Sequence, residues 1–350
     1  MPADHILTYA RDLAGGGVER AQLRLIAGWL AAGRRVTLVI GRAAGPLAGE
    51  LPDGIALVEL GTSSMGALAA AVPRAVRRHR PDLIFCPGNY YTGIALLTRA
   101  RLGRACPPLV AKMSNAVRRG DHGPLVDRGH RAWLRLHGRF LDHLVAMTAG
   151  AAAEAAPATG MQGRVSIIPN PPPLRRDAPL PPLPDAPFVL GVGRLAPQKR
   201  WDRLLAAMPA LPGLPLVILG DGPDRTTLAA QAARLGVALH LPGHAADPLG
   251  AMARAKVLAL TSDFEGVPGV LREALSVGTP VVTTDSSAAV AEIVSDPALG
   301  TVVPRDDPQA LISALGHWLA TDERPTPVPL PGADSARRYL ALFDRLQSSC

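Results

Sequence analysis

Short apolar runs alternate with longer amphipathic stretches along the whole chain, and the alternation begins twice. In the first half HILTYA, RVTLVI, ALVEL, DLIFC, PLVAKM and HLVAMT read as strands, with helical stretches between them. Several are apolar at nearly every position, as strands covered on both faces require. Strand–helix–strand alternation specifies a parallel sheet with right-handed crossovers. Nine of the 21 residues at 167–187 are proline. Proline removes a donor and fixes φ, so this segment reads as an extended linker and not an element. The alternation then restarts with FVLGVG, LPLVILG, ALHLPG, AKVLALT, PVVTTD and TVVP.

The expected fold class is therefore α/β, with two Rossmann-like doubly wound domains and a ligand cleft between them. The N-terminal domain is expected at 1–172, a Pro-rich linker at 173–187 and the C-terminal domain at 188–325. The remainder, 326–350, is a second Pro-rich segment and a last helix that could cross back to the N-terminal domain. A chain of 350 residues fits two domains better than one core.

No run of eighteen uncharged apolar residues suggests a membrane span, and the N-terminus has no basic, then apolar, leader pattern. Cys86, Cys106 and Cys350 are scattered without a CxxC, which fits a reducing compartment and no structural metal. A cytoplasmic location is expected. No Asp-x-Asp occurs, so no carboxylate site for a divalent cation is evident.

The net charge of +8 is unevenly spread. Residues 1–172 hold 21 Lys+Arg against 11 Asp+Glu, and the rest hold 16 against 18. A genome that favours Arg explains 34 Arg against 3 Lys, but not this asymmetry. The basic half suggests an anionic partner. Its sharpest feature is RGHRAWLRLHGRF, in which Arg128, Arg131, Arg135 and Arg139 fall within about 80° on a helical wheel. Two readings stay open: a core-packed helix with a solvated Arg face, or an amphipathic helix on an anionic membrane. A nucleic-acid partner would also explain the charge. It finds no aromatic stacking platform in the basic half and no known module.

Two glycine-rich turns suggest anion binding. Gly191, Gly193 and Ala196 have the G-x-G-x-x-A spacing after a strand. The acid that a dinucleotide fingerprint wants about twenty residues on is missing, since Asp221 comes thirty after Gly191. Arg194 and Lys199 bracket this loop, and a guanidinium fork with an ammonium at a helix entrance suits a diphosphate instead. Gly15, Gly16 and Gly17 form a second strand-to-helix turn whose backbone N–H groups could approach an anion.

These segments, in order, resemble one family. The GGGVERAQLRLIAGWLAAGRRVTLV, IIPNP, GRLAPQKRWDRLLAAM, LGDGPDRTTL and LPGHAADPL stretches lead to DFEGVPGVLREALSVGTPVVTTD. Together they resemble the retaining glycosyltransferases of the GT-B fold, family 4, over roughly residues 5–320. The resemblance implies a sugar transferred from a nucleotide diphosphate sugar, UDP-linked by default, to a glycan or lipid-linked acceptor of a bacterial surface polysaccharide or lipopolysaccharide. It implies no cofactor and no metal. By the same resemblance Arg194 and Lys199 bind the diphosphate, and Glu273 accepts from the ribose hydroxyls. Glu265 lies by the transferred sugar. The backbone of Gly266, Val267, Pro268, Gly269 and Val270 underlies sugar and phosphates. His244 borders the base, and Gly16 and Gly17 approach the diphosphate from the other domain. Glu273 is expected within the first turns of a helix starting near Pro268, where the dipole favours an anion.

The sequence departs from the family twice. Where relatives carry a histidine after the PLVAKM strand, Ser114 and Asn115 stand, and His122 is seven residues beyond Asn115. Asn115 could bond a sugar hydroxyl at the reaction centre, or simply shape a turn. Ala288 and Ala289 replace the glycine pair that usually precedes the residue matching Glu292. An epimerase or hydrolase of nucleotide sugars on the same fold is the rival enzyme reading, and a basic nucleic-acid-binding protein the rival of another class.

Overall fold

The structure, a computed structural model, describes residues 2–117, 123–173, 179–211, 213–245 and 247–348. The chain divides into two compact units.

The first unit is built on seven strands: β1 (His5–Asp12), β2 (Arg35–Arg42), β3 (Ala56–Glu59), β4 (Leu83–Cys86), β5 (Leu109–Lys112), β6 (His143–Ala146) and β7 (Val165–Ile167). All pair in parallel, in the order β3-β2-β1-β4-β5-β6-β7. The connections carry α1 (Gly17–Ala31), α2 (Met65–His79), α3 (Thr92–Leu102), α4 (Pro124–Phe140) and α5 (Ala149–Thr159). The order reverses between β1 and β4, which is the switch point where such sheets open a crevice at their carboxyl ends. All four residues of β4 and of β5 are buried, as near-continuous apolar runs predict.

β7 is not legible as a strand in the sequence, because Val-Ser-Ile is three residues long and half exposed at a sheet edge. This corrects the reading of 167–187 as wholly linker. Ile167 pairs with Ala146, and Ile168 is buried with its N–H donating to Ala146 O. Pairing on one side is enough to order the backbone before the prolines begin.

The second unit repeats the plan with β8 (Val189–Val192), β9 (Leu216–Leu219), β10 (Leu239–Gly243), β11 (Val257–Leu260), β12 (Val281–Thr284) and β13 (Gly300–Val303). The order is β10-β9-β8-β11-β12-β13, again all parallel, with its switch point between β8 and β11. Its helices are α6 (Trp201–Ala207), α7 (Arg225–Leu235), α8 (Leu249–Arg254), α9 (Gly269–Ser276), α10 (Ala288–Ile293) and α11 (Pro308–Ala320). One core of Val, Leu, Ile and Ala, with Trp201 and Trp318, fills it.

The last helix, α12 (Ser335–Ser348), belongs to the first unit and packs on α1. Tyr339 and Phe343 meet Trp29 and Phe85 edge to face at 5.3–6.0 Å for the pairs Trp29–Phe85, Trp29–Tyr339, Trp29–Phe343 and Phe85–Tyr339. Gly28 lets the helices approach, since a Cβ there would lie 2.4 Å from the Ala336 methyl. No helix among the described residues is long and apolar enough to cross a membrane.

Candidate functional site

Two loops leave the carboxyl ends of neighbouring strands at the second unit's switch point. The loop after β8 carries Arg194 and Lys199, and the loop after β11 carries Asp263 and Glu265. The structure brings Lys199 and Glu265 together, with Nζ 2.6 Å from Oε1. Glu265 is only 8% exposed, and the same Oε1 accepts from Ser262 Oγ at 2.6 Å. A buried carboxylate is tolerated when it is paired and hydrogen-bonded in this way. Arg194 differs: it is exposed, and its guanidinium has no partner among the described residues. One cation of the expected diphosphate pair is thus free and the other is held by a carboxylate.

The two loops are sewn together. Gln198 O accepts from Asp263 N at 2.9 Å, and Gln198 Nε2 donates to Phe264 O at 2.7 Å. Thr261 Oγ1 donates to Arg200 O at 2.9 Å. Arg200 and Arg203 both reach Asp263, at 3.2 and 3.0 Å, and Arg203 also donates to Thr261 O at 2.8 Å. Arg305 donates to Asp263 O at 3.0 Å. Arg200 adopts left-handed backbone at φ 50°, which is costly for a side chain with a Cβ and persists only where neighbours fix it. Sequence reasoning misses this group because each member reads singly as a surface charge. The only signal is the density of charge on both sides of Lys199 and just before Glu265.

The run from Gly266 to Val270 turns the chain into α9. Val267 and Val270 pack against the unit's core, Pro268 is buried at the N-cap position, and Gly269 is exposed with open space where a Cβ would stand. Glu273 lies in the second turn of α9, half-buried, near the helix start that the sequence predicts at Pro268. His244 is exposed and follows β10, the edge strand two positions from β8. Gly220 has φ +141°, and a Cβ there would fall 2.1 Å from Gly193 O, so the first and second strand ends approach as only glycine allows.

In the first unit Gly16 is the N-cap of α1. The Glu19 carboxylate folds back over it: a Cβ on Gly16 would meet Glu19 Oε2 at 2.1 Å. Glu19 Oε1 accepts from Tyr91 Oη at 3.1 Å, and Tyr91 Oη accepts from Arg11 N at 3.1 Å. The helix start therefore already holds an anion of its own, and Gly17 is the open position, where a Cβ would find no atom within 4 Å. Asn115 accepts from Ala116 N at 2.9 Å, a local turn contact. Ser114 is structural: its N–H donates to Asn89 Oδ1 at 2.7 Å and its Oγ accepts from Asn89 N at 3.2 Å. His122 lies outside the described residues.

Lys112, at the end of β5, is 1% exposed, and among the described residues its ammonium makes one hydrogen bond, a 3.3 Å contact to Asn170 Oδ1. Burial lowers its pKa to about 8, against a smaller upward pull from Glu19. Nothing in the sequence marks it. Among the described residues no group of His, Cys, Asp and Glu could hold a metal ion.

Comparison with known proteins agrees with this architecture. Residues 16–171 match the glycosyl transferase 4-like domain, and residues 177–327 match the glycosyl transferases group 1. The chain is 36% identical over 165 residues to the GDP-mannose-dependent alpha-(1-6)-phosphatidylinositol monomannoside mannosyltransferase of Mycolicibacterium smegmatis, covering 42% of each chain. It is 36% identical over 104 residues to the lipopolysaccharide core biosynthesis glycosyltransferase LpsE of Rhizobium meliloti, covering 29% of this chain and 31% of that one. The matched stretches thus span less than half the length of these curated relatives. Anabaena HepE, solved in complex with UDP-glucose, superposes with a TM-score of 0.72 at 19% identity, over 99% of this chain and 98% of that one. With both halves of the chain matched and the fold shared end to end, the protein belongs to the group 1 glycosyltransferases of the GT-B fold.

Proposed function

We propose that the protein is a retaining glycosyltransferase that moves a sugar from a nucleotide diphosphate sugar to a glycan or lipid-linked acceptor of a bacterial surface polysaccharide, lipopolysaccharide or glycolipid. The observation that carries the reading is the Lys199–Glu265 pair at 2.6 Å, at the carboxyl edge of the second unit's switch point, in the loop that also presents Arg194. Curated relatives act in such pathways, and HepE is described with UDP-glucose.

In this reading Arg194, Lys199 and backbone N–H groups stabilise the charge that develops on the leaving diphosphate. No metal is invoked, because these cations do that work and the sequence has no Asp-x-Asp. Glu273 accepts from the ribose diol, for which a carboxylate with two acceptor oxygens is suited. Glu265 lies beside the sugar and stabilises the oxocarbenium-like centre. The leaving phosphate oxygen takes the proton of the acceptor hydroxyl on the same face, so retention needs no protein nucleophile.

The basic face of α4 supports a peripheral contact with anionic lipid. Arg128, Arg131, Arg135 and Arg139 are all exposed, while Leu134, His137 and Phe140 are buried beneath them. At the start of the helix Leu125 and Val126 are 81% and 59% exposed. Apolar side chains beside a cationic stripe suit a headgroup boundary.

A thermal-shift panel of UDP, GDP and their sugars tests the assignment. A ligand that binds only the folded state raises the melting temperature with its occupancy. We expect one nucleotide diphosphate to stabilise the protein and its effect to vanish in Glu273→Ala. No shift with any member of the panel would refute the reading. Among donors that bind, release of free sugar without transfer would favour a hydrolase.

A further inference from the structure

The chain has few aromatic residues, 4% of its length, and nearly all are used for packing. Tyr90 is the exception, and it corrects the expectation that the basic half holds no aromatic stacking platform. It is 64% exposed, and it is the only aromatic among the exposed large hydrophobic side chains of the described residues. A surface tyrosine offers an apolar ring face and a polar hydroxyl together, which suits a ligand that has both kinds of surface.

Its surroundings are rigid. Tyr90 lies in the turn after β4, directly at the first unit's switch point between β1 and β4. Asn89 is fastened to Ser114 by bonds of 2.7 and 3.2 Å. Gly88 permits that closeness, since a Cβ there would fall 2.5 Å from Ser114 Oγ. The Tyr90 ring meets the buried Tyr91 ring edge to face at 5.5 Å and 77°, and Tyr91 is bonded on both sides, to Arg11 N and to Glu19. The phenol is thus a fixed plate with its outer surface open.

Arg11, the next-to-last residue of β1, is held at this turn by its N–H bond to Tyr91 Oη, and its side chain is 39% exposed. Its pKa is raised, chiefly by the hydrogen bond to Asp12 and to a smaller extent by the Tyr90 hydroxyl. The Asp12 contact at 2.8 Å uses Nε, one of the five N–H donors of the guanidinium.

We propose that Tyr90, flanked by Arg11, is a platform for a pyranose ring of the acceptor. A pyranose presents a face of C–H bonds to the aromatic plane and an edge of hydroxyls to the guanidinium. A flat ring with polar donors at its rim satisfies both. The proposal rests on the glycosyltransferase reading, which assigns the nucleotide to the other unit and leaves this switch point for the acceptor.

Saturation-transfer NMR of the full chain, with methyl α-D-mannopyranoside, methyl β-D-glucopyranoside and methyl β-D-galactopyranoside as separate probes, tests it. At least one glycoside should show transfer to its ring C–H protons. That signal should fall about tenfold in Tyr90→Ala and persist in Tyr90→Trp. Stabilisation by UDP or GDP should be unchanged in both variants. A signal unaffected by Tyr90→Ala, or none with any glycoside, overturns the platform. Loss of the nucleotide shift in Tyr90→Ala also overturns it, because the ring would then stack on a base. Failure of every nucleotide to stabilise the wild type is a different result: it sinks the transferase reading, while the glycoside signal still decides the platform.

Discussion

Glu265 Oε1 receives two donors at 2.6 Å, Lys199 Nζ and Ser262 Oγ, so the lysine charge is already engaged before any ligand arrives. A diphosphate bound at Lys199 must share it with the carboxylate. Removing the carboxylate charge while keeping its shape should therefore help nucleotide binding and harm transfer. Glu265→Gln is expected to lower the Kd for the preferred nucleotide diphosphate about tenfold, the equivalent of ~1.4 kcal/mol. Turnover should fall by a factor on the order of a hundred, as for loss of a group acting on transition-state charge. Calorimetric titration with a steady-state assay reads both. Weaker nucleotide binding in Glu265→Gln would show that the carboxylate does not compete for Lys199.

Asp263 ties the two loops that carry this pair. Arg203, with its side chain 11% exposed, binds Asp263 and Thr261 O at once, which its planar fork permits. Asp263→Asn should cost on the order of 2 kcal/mol of stability, since it weakens a partly buried, bonded charge. It should also lower turnover by misplacing Lys199 against Glu265. Arg203→Lys should resemble it, because an ammonium lacks the fork. Asp202→Asn, which touches Arg200 at the surface, should change neither. Melting curves and kinetics on the three variants check the pattern. Equal effects from Asp202→Asn and Asp263→Asn would contradict a specific role for the suture.

The fold was legible because a doubly wound sheet leaves its mark in each strand separately. Apolar runs such as LIFC and LVIL need no knowledge of their neighbours, and both are fully buried. β7 escaped because an edge strand gains its order from pairing with β6, not from its own pattern. In the site, Lys199 and Glu265 could be picked from short motifs. Their supports could not. Gln198 and Phe264 are 66 residues apart, and neither alone stands out. Asn89 and Ser114 lock together across 25 residues, which turns the position that lacks the family histidine into a structural bracket. Tyr90 is one of two adjacent tyrosines, and only tertiary burial separates the buried anchor from the exposed plate.

Lys112 gives a pH-dependent prediction. Burial holds its pKa at about 8, below the ordinary 10.5. Between those values the unfolded chain binds a proton that the folded chain does not, so stability rises as pH increases through the window. At pH 7 both states carry the charge, and the folded state bears its burial. Lys112→Met should then stabilise the first unit at pH 7 by up to about 3 kcal/mol, and its advantage should shrink toward pH 10.5. Scanning calorimetry from pH 7 to 10.5 measures this. A variant less stable at pH 7 would mean that Asn170 and Glu19 satisfy the ammonium better than its single 3.3 Å bond suggests.

The basic face of α4 makes the membrane contact measurable. Arg131 is bonded to Asp127 at 3.1 Å, which offsets part of its charge toward lipid. Each remaining arginine near an anionic surface is worth about 1 kcal/mol. Replacing Arg128, Arg131, Arg135 and Arg139 by Gln should therefore lower partitioning onto phosphatidylglycerol vesicles by a factor on the order of a hundred. Binding of the wild type should weaken steeply as salt rises, because the charges are exposed and screened. Leu125→Ser with Val126→Ser should reduce what binding remains at high salt, where the apolar contribution persists. Vesicle co-sedimentation separates the two. Partitioning that ignores both salt and the arginine substitutions would leave the stripe as a solvated helix face.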